Sequence, residues 1–191
     1  AWGNIIQQQK TELGKIYQTA YQYDEGNNIK QMIYPSGRII SITRDGVRRM
    51  LSTQTSLSQN GATINKTLMA NSLYRADDQL TQCSFGNGLT ESRSYDLQGR
   101  LTSQNTNNGA DFTDQRLYDY DINSNLMSRT GSAQSSNYNY DLLDRLTQDN
   151  PSSTQNLETR QSTLQYDQNH NRQRKTSYLP DLANPQSTQT K

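Results

Sequence analysis

Six of the twelve tyrosines are followed directly by aspartate: Tyr23-Asp24, Tyr95-Asp96, Tyr118-Asp119, Tyr120-Asp121, Tyr140-Asp141 and Tyr166-Asp167. A phenol beside a carboxylate is a proton donor beside a proton acceptor, the minimum for general acid–base chemistry. An active site needs one such pair, however, and recurrence along the whole chain is what a scaffold requires. The other reactive groups are sparse. His170 is the single histidine and Cys83 the single cysteine. A Ser-His-Asp or Cys-His site can be assembled from them on paper, but no nucleophile elbow or comparable local context surrounds either residue. Asp121-x-Asn123-x-Asn125 and Asp167-x-Asn169-x-Asn171 imitate the opening of a calcium loop, which requires Gly at position six and a bidentate Glu at position twelve. Leu126 and Ser132 occupy those positions in one copy, Arg172 and Tyr178 in the other. The ligand count fails, and no cofactor or metal is expected.

Two small basic clusters, Arg44, Arg48 and Arg49, then Arg172, Arg174 and Lys175, are interleaved with tyrosines and offer a grip on an anionic glycan or a nucleic acid, although a solvated strand face or an edge protected by charge is the commoner use of such residues. A net charge of +1 supplies no long-range field for nucleic acid or for an anionic membrane. Asn65-Lys66-Thr67 has the form of a glycosylation acceptor, which is informative only in a chain secreted from a eukaryotic cell.

The elements that hold these residues are turns. In Tyr95-Asp96-Leu97-Gln98-Gly99-Arg100-Leu101 an aromatic ends a strand, and Asp96 opens a type I turn in which its carboxylate accepts backbone N–H groups ahead. Gly99 suits the left-handed position that closes a G1-bulge hairpin, and Leu101 begins the return strand. The same grammar, complete or eroded, recurs at Tyr23-Asp24, at Arg44-Asp45 with Arg in place of Tyr, at Tyr74, Tyr120-Asp121, Tyr140-Asp141 and Tyr166-Asp167. Asn27, Ser124, Asp144 and His170 stand where Gly99 stands. Steps between the motif positions are 21, 30, 21, 25, 20 and 26 residues, within the range that marks a repeat architecture. Between these turns lie others: Tyr34-Pro35-Ser36-Gly37, expected to be of a different type, Asn60-Gly61, Phe85-Gly86-Asn87-Gly88, Asn107-Asn108-Gly109 and Asn150-Pro151-Ser152. They are placed to reverse the chain at the opposite end of the sheet.

Apolar residues make up only 30% of the 191 and mean hydropathy is −1.05, values that by themselves point towards disorder or a thin core. Regular turns and twelve tyrosines argue for a sheet, whose faces need fewer aliphatic residues than a globular core. Cys83 is read as a small packed residue. Nowhere do 18 apolar residues occur together, so no membrane-spanning helix is expected. The length predicts one domain over 1–191, with repeats over about 17–178 and a fraying tail over 179–191.

These motifs resemble the YD repeats of RHS proteins, also present in the B and C components of insecticidal Tc toxin complexes and in teneurins. The resemblance implies an all-β fold in which antiparallel hairpins form a meander, a curved sheet that is part of an RHS-type shell. It implies structural roles for Tyr23, Asp24, Tyr74, Tyr95, Asp96, Gly99, Arg100, Leu101, Tyr120, Asp121, Tyr140, Asp141, Tyr166 and Asp167. It implies as partners the neighbouring repeats of a longer chain and an enclosed toxin polypeptide, and a secreted or cell-envelope location. Bacterial toxins of that family end in an Asp-Pro-x-Gly type motif with paired aspartates that act in self-cleavage, and nothing here matches it. No enzymatic activity is therefore expected. The other reading of the same rows of Tyr, Asn and Gln is a surface-adhesion or carbohydrate-binding module, with Arg44, Arg48 and Arg49 as the ligand contacts.

Overall fold

The computed structural model describes residues 3–109, 111–153, 159–178 and 188–190. They are strand, turn and bend, with no helix among the described residues. The chain divides into two compact units, Ala1–Ser92 and Arg93–Lys191. In the first, β1 (Gln7–Glu12), β2 (Lys15–Tyr23), β3 (Ile29–Ile33), β4 (Ile39–Arg44), β5 (Met50–Gln59), β6 (Ala62–Tyr74), β7 (Leu80–Phe85) and the opening of β8 (Thr90–Tyr95) lie side by side in chain order. Each neighbouring pair is antiparallel. The second unit repeats the arrangement with β9 (Leu101–Asn107), β10 (Thr113–Tyr120), β11 (Leu126–Gly131), β12 (Gln134–Tyr140), β13 (Leu146–Ser153), β14 (Gln161–Tyr166), β15 (Arg172–Tyr178) and β16 (Thr188–Thr190). The all-β, antiparallel hairpin meander expected from the turn spacing is the architecture of both units.

One turn geometry generates most of it. The Asp96 N–H donates to the Arg100 carbonyl (2.9 Å) and the Gly99 N–H to the Asp96 carbonyl (3.1 Å). The same two bonds close the turns that begin at Asp24, Asp45, Arg75, Asp121, Asp141 and Asp167. Three residues after each of these comes a left-handed residue: Asn27 (φ 66°), Arg48 (74°), Asp78 (65°), Gly99 (80°), Ser124 (70°), Asp144 (56°) and His170 (65°). The Arg44-Asp45 copy, the most eroded in sequence, thus closes with the full bond pattern while holding an arginine in a conformation that L-residues other than Asn and Asp adopt reluctantly. Asn60-Gly61 forms the two-residue hairpin that its type favours, with positive φ at both positions (51° and 77°).

Two turn expectations are corrected. Tyr34-Pro35-Ser36-Gly37 does not use a different turn: the Tyr34 N–H donates to the Arg38 carbonyl and the Gly37 N–H to the Tyr34 carbonyl, with Gly37 at φ 78°. Pro35 at the second position is compatible with a type I turn as well as a type II, and the left-handed Gly37 after it selects the bulged hairpin. Asn150-Pro151-Ser152 does not reverse the chain; all three residues lie inside β13, with Pro151 opposite Ser136. The described ladder between β13 and β14 pairs only Gln148 with Thr163 and Asp149 with Ser162, so Pro151 sits where the strand asks for no N–H on that side. The tail expected to fray, 179–191, lies outside the described residues except for 188–190, which pair with Thr176–Tyr178 of β15.

The core is as thin as the composition implies. Cys83, 1% exposed, and Pro151 are the buried apolar residues among the described residues. The other buried side chains are mostly small and polar, Thr55, Ser72, Ser136 and Ser162, with Glu91 beside them. Cohesion must come from ladders and from contacts between hairpins.

Candidate functional site

Each aspartate of the recurring motif is a local staple. Oδ1 of Asp96 accepts the N–H groups of Gln98 (2.9 Å) and Arg100 (2.8 Å). Oδ1 of Asp45 does the same for Val47 and Arg49, that of Asp141 for Leu143 and Arg145, and that of Asp167 for Asn169 and Asn171. A short, ionised acceptor at this place thus satisfies two backbone donors of the turn, although the turns at Tyr34 and Arg75 close without one.

The second carboxylate oxygen fixes a longer connection. Arg100 Nε donates to Asp96 Oδ2 at 2.6 Å, which aims the guanidinium at the next hairpin. There its carbon lies 4.9 Å from the ring centre of Tyr120, and Nη1 donates to the Asp121 carbonyl at 3.0 Å. The Tyr120 hydroxyl reaches back and donates to the Leu101 carbonyl at 2.9 Å. Asp96, Arg100, Tyr120 and two backbone carbonyls thus form a closed clasp between successive hairpins. The clasp recurs as Asp45, Arg49 and Tyr74, with Nε to Oδ2 at 2.7 Å, ring distance 5.1 Å, and the Tyr74 hydroxyl on the Met50 carbonyl at 2.6 Å. It recurs again as Asp141, Arg145 and Tyr166, at 2.7, 4.7 and 2.8 Å respectively.

Where the arginine position holds asparagine, the reach is shorter and half the clasp remains. Asn125 Nδ2 donates to Asp121 Oδ2 (3.0 Å) and to Asp144 Oδ1 (2.7 Å), while the Tyr140 hydroxyl still bonds the Leu126 carbonyl (3.0 Å). Tyr23 reaches the Ile5 carbonyl in the same way, at 2.9 Å. Arg44 stands where the motif has tyrosine and takes over its bond, Nη1 donating to the Ile29 carbonyl at 2.7 Å.

The protonation states follow from these bonds. The Arg145 side chain holds the Asp141 carboxyl below the usual range against the burial that works to raise it. Asn125 does the same for Asp121. Asp24 and Asp167 are lowered first by the backbone N–H groups of Asn28 and Asn171. At Asp45 and Asp96 burial is the largest single influence and works to raise the carboxyl, but the bonds from Arg49 and Arg100 together outweigh it. Burial raises the phenols of Tyr120 and Tyr140. Each motif aspartate is therefore an ionised carboxylate engaged by its own turn, and the hydroxyls of Tyr23, Tyr74, Tyr120, Tyr140 and Tyr166 each donate to a backbone carbonyl earlier in the chain. This arrangement holds hairpins together.

The sequence-derived candidates fall as follows. Tyr74, Arg100, Leu101, Tyr120 and Tyr166 meet in clasps, Gly99 occupies the left-handed turn position, and Tyr95 ends β8 beside Asp96. Of the three arginines considered as ligand contacts, Arg49 is engaged by Asp45 and Tyr74, and Arg44 by Ile29 and, at 3.8 Å, Asp24. Arg48 is exposed. In the calcium-like run, Asn123 and Asn125 both turn their amide nitrogens to Asp144 Oδ1, so their role is to join turns. Arg145 went unnoticed in sequence. Its signal was an arginine four residues after the turn aspartate, shared by Arg49, Arg100 and Arg145.

Comparison with solved structures places the fold. The chain superposes on the TcdB2-TccC3 crystal structure with a TM-score of 0.77 over 92% of its length, at 18% sequence identity. Its fold is that of the Tc complexes. The Photorhabdus luminescens Tc holotoxin pore gives a TM-score of 0.76 at 17% identity over 92% of the chain, and TcdB2-TccC3-Cdc42 gives the same values. The chain spans about a tenth of the length of these Tc chains, 10% in each. No family model and no curated protein matches the sequence. The resemblance read from the Tyr-Asp repeats is thus borne out at the level of fold.

Proposed function

We propose that this chain is a structural segment of a longer RHS-type shell, which encloses or presents a polypeptide and performs no catalysis of its own. The observation that carries this reading is the clasp: the same carboxylate, guanidinium and phenol join neighbouring hairpins at three places, and a reduced form does so at others. A catalytic site concentrates reactive groups once, whereas a wall distributes identical fastenings along its length. The Tc-like fold and the small share of the Tc chains that this sequence spans support the same reading. The partners are then further repeats continuing the sheet and the enclosed polypeptide, and the location is outside the cell or in its envelope. The test is to express the complete reading frame and measure protease cleavage of its C-terminal segment with the shell intact. Shielding relative to the isolated segment is expected. Cleavage at the rate of the isolated segment would overturn encapsulation and favour surface binding.

A further inference from the structure

The first unit carries a recess at the end opposite its Tyr-Asp turns. The β3–β4 hairpin is short, and its turn at Tyr34–Arg38 is set back between two longer hairpins. β2 pairs with β1 from Lys15 to Ala20, but with β3 only from Ala20 onward. β5 likewise continues to Gln59 past its last β4 pair, Ile39 with Ser56. Among the described residues, no strand covers the β3-side edge of Lys15–Thr19.

The orientation of that edge follows from the ladder. The Tyr21 N–H donates to the Ile6 carbonyl on the β1 side. Backbone groups alternate along an antiparallel strand, so Tyr17 and Thr19 also point to β1 while Ile16 and Gln18 turn their N–H and C=O into the recess. Pro35, at the foot of the recess, has no N–H to donate to this edge.

The two faces of the recess differ in chemistry. One is an open groove of about 850 Å³ lined by Lys15, Tyr17, Tyr34, Pro35, Arg38 and Ile40. The other is a smaller hollow of about 260 Å³ lined by Gln18, Ala20, Ile33 and Gly37, with Ile16, Tyr34 and Pro35 at its border. Tyr17 is 43% and Ile16 62% exposed. Among the described residues neither Lys15 nor Arg38 has an ion-pair partner, whereas Lys10 nearby is paired with Glu12 at 2.9 Å.

From these features we propose that the recess is a docking site for an extended acidic polypeptide segment, which adds as a strand to the edge of β2. Its backbone bonds to Ile16 and Gln18. Alternate side chains then divide between the faces: carboxylates meet Lys15 and Arg38, and small apolar side chains enter the hollow beside Ile33. The free backbone edge selects a polypeptide over a glycan, because only the former supplies alternating N–H and C=O groups. This site goes beyond the structural role proposed above and does not depend on it.

The test uses the 191-residue chain and a capped octapeptide of alternating Glu and Val. Binding is read by fluorescence polarisation, and amide exchange by NMR. Saturable binding is expected, with the Ile16 and Gln18 amides slowed in exchange by at least about tenfold. Methylating alternate backbone nitrogens of the peptide should weaken binding by at least about tenfold with no change to the protein, as should the double variant K15E/R38E. No binding at millimolar peptide would overturn the proposal, as would binding indifferent to N-methylation. So would binding of an oligogalacturonate that perturbs Tyr17 and Tyr34 while the peptide leaves Ile16 and Gln18 exchanging freely; that result would reassign the groove to glycans.

Discussion

Replacing Tyr120 by Phe deletes one oxygen and leaves the ring beneath Arg100, so it isolates the hydroxyl's bond to the Leu101 carbonyl at 2.9 Å. A neutral hydrogen bond between partly buried groups contributes about 0.5–1.5 kcal/mol net. Burial raises the pKa of this phenol and so keeps it neutral, which makes the bond one between neutral groups. We expect a loss of about 1 kcal/mol, measured as a shift of the urea midpoint with the denaturant slope unchanged. Tyr120→Leu removes the stacked ring as well and should cost a further 0.5–1 kcal/mol, about the value of an exposed cation–π contact, beyond the change in buried area. The control is Tyr118→Phe, two residues earlier on the same strand, where no hydroxyl bond joins hairpins; it should stay within about 0.5 kcal/mol of the parent. Equal losses at Tyr118 and Tyr120, or no loss at either, would refute the clasp as a source of cohesion.

Gly99→Val should destabilise by more than about 1 kcal/mol in the same assay, because a β-branched residue is forced to φ near 80°. Gly86→Ala should cost about 1–3 kcal/mol as a lower bound, since the added carbon would lie 1.7 Å from the Thr67 carbonyl oxygen and one of the two backbones must move; a thermal melt matching the parent would contradict the close approach of β6 and Gly86. Stability should fall at both extremes of pH. The motif carboxyls are lowered on folding, so their contribution is complete above about pH 4 and disappears as pH drops through the folded values. The phenols of Tyr120 and Tyr140 are raised, so theirs is complete below about pH 10 and disappears as pH climbs through the folded values. A midpoint that stays flat from pH 2 to 4 would show that the carboxylates do not hold the turns.

Hairpins were legible in the sequence because a turn is decided within five residues: an aspartate that can accept ahead, then a residue that tolerates positive φ. That logic reached even Asp144 and His170. It failed at Tyr34, where a proline points to a different turn although φ of Gly37 sets the type, and at Pro151, where a proline suggests a break although the described ladder to β14 ends at Asp149 and leaves the proline inside the strand. The clasp was hidden for another reason. Arg100 meets Tyr120 only because consecutive hairpins lie side by side, a relation between residues twenty apart that no local pattern encodes. Arg44 illustrates the limit best. In sequence it is an eroded tyrosine, yet in space it makes the tyrosine's bond.

The clasp also has a direction in time. Tyr120 donates to a carbonyl that precedes it in the chain, and the arginine it stacks with precedes it too. During synthesis each emerging hairpin therefore finds its acceptor and its cation already in place, so the array can be completed unit by unit from the N-terminal side as the ribosome delivers it. A chain halted between Arg100 and Tyr120 would leave a guanidinium without its ring and a carbonyl without its donor, a small exposed defect that marks the product as unfinished.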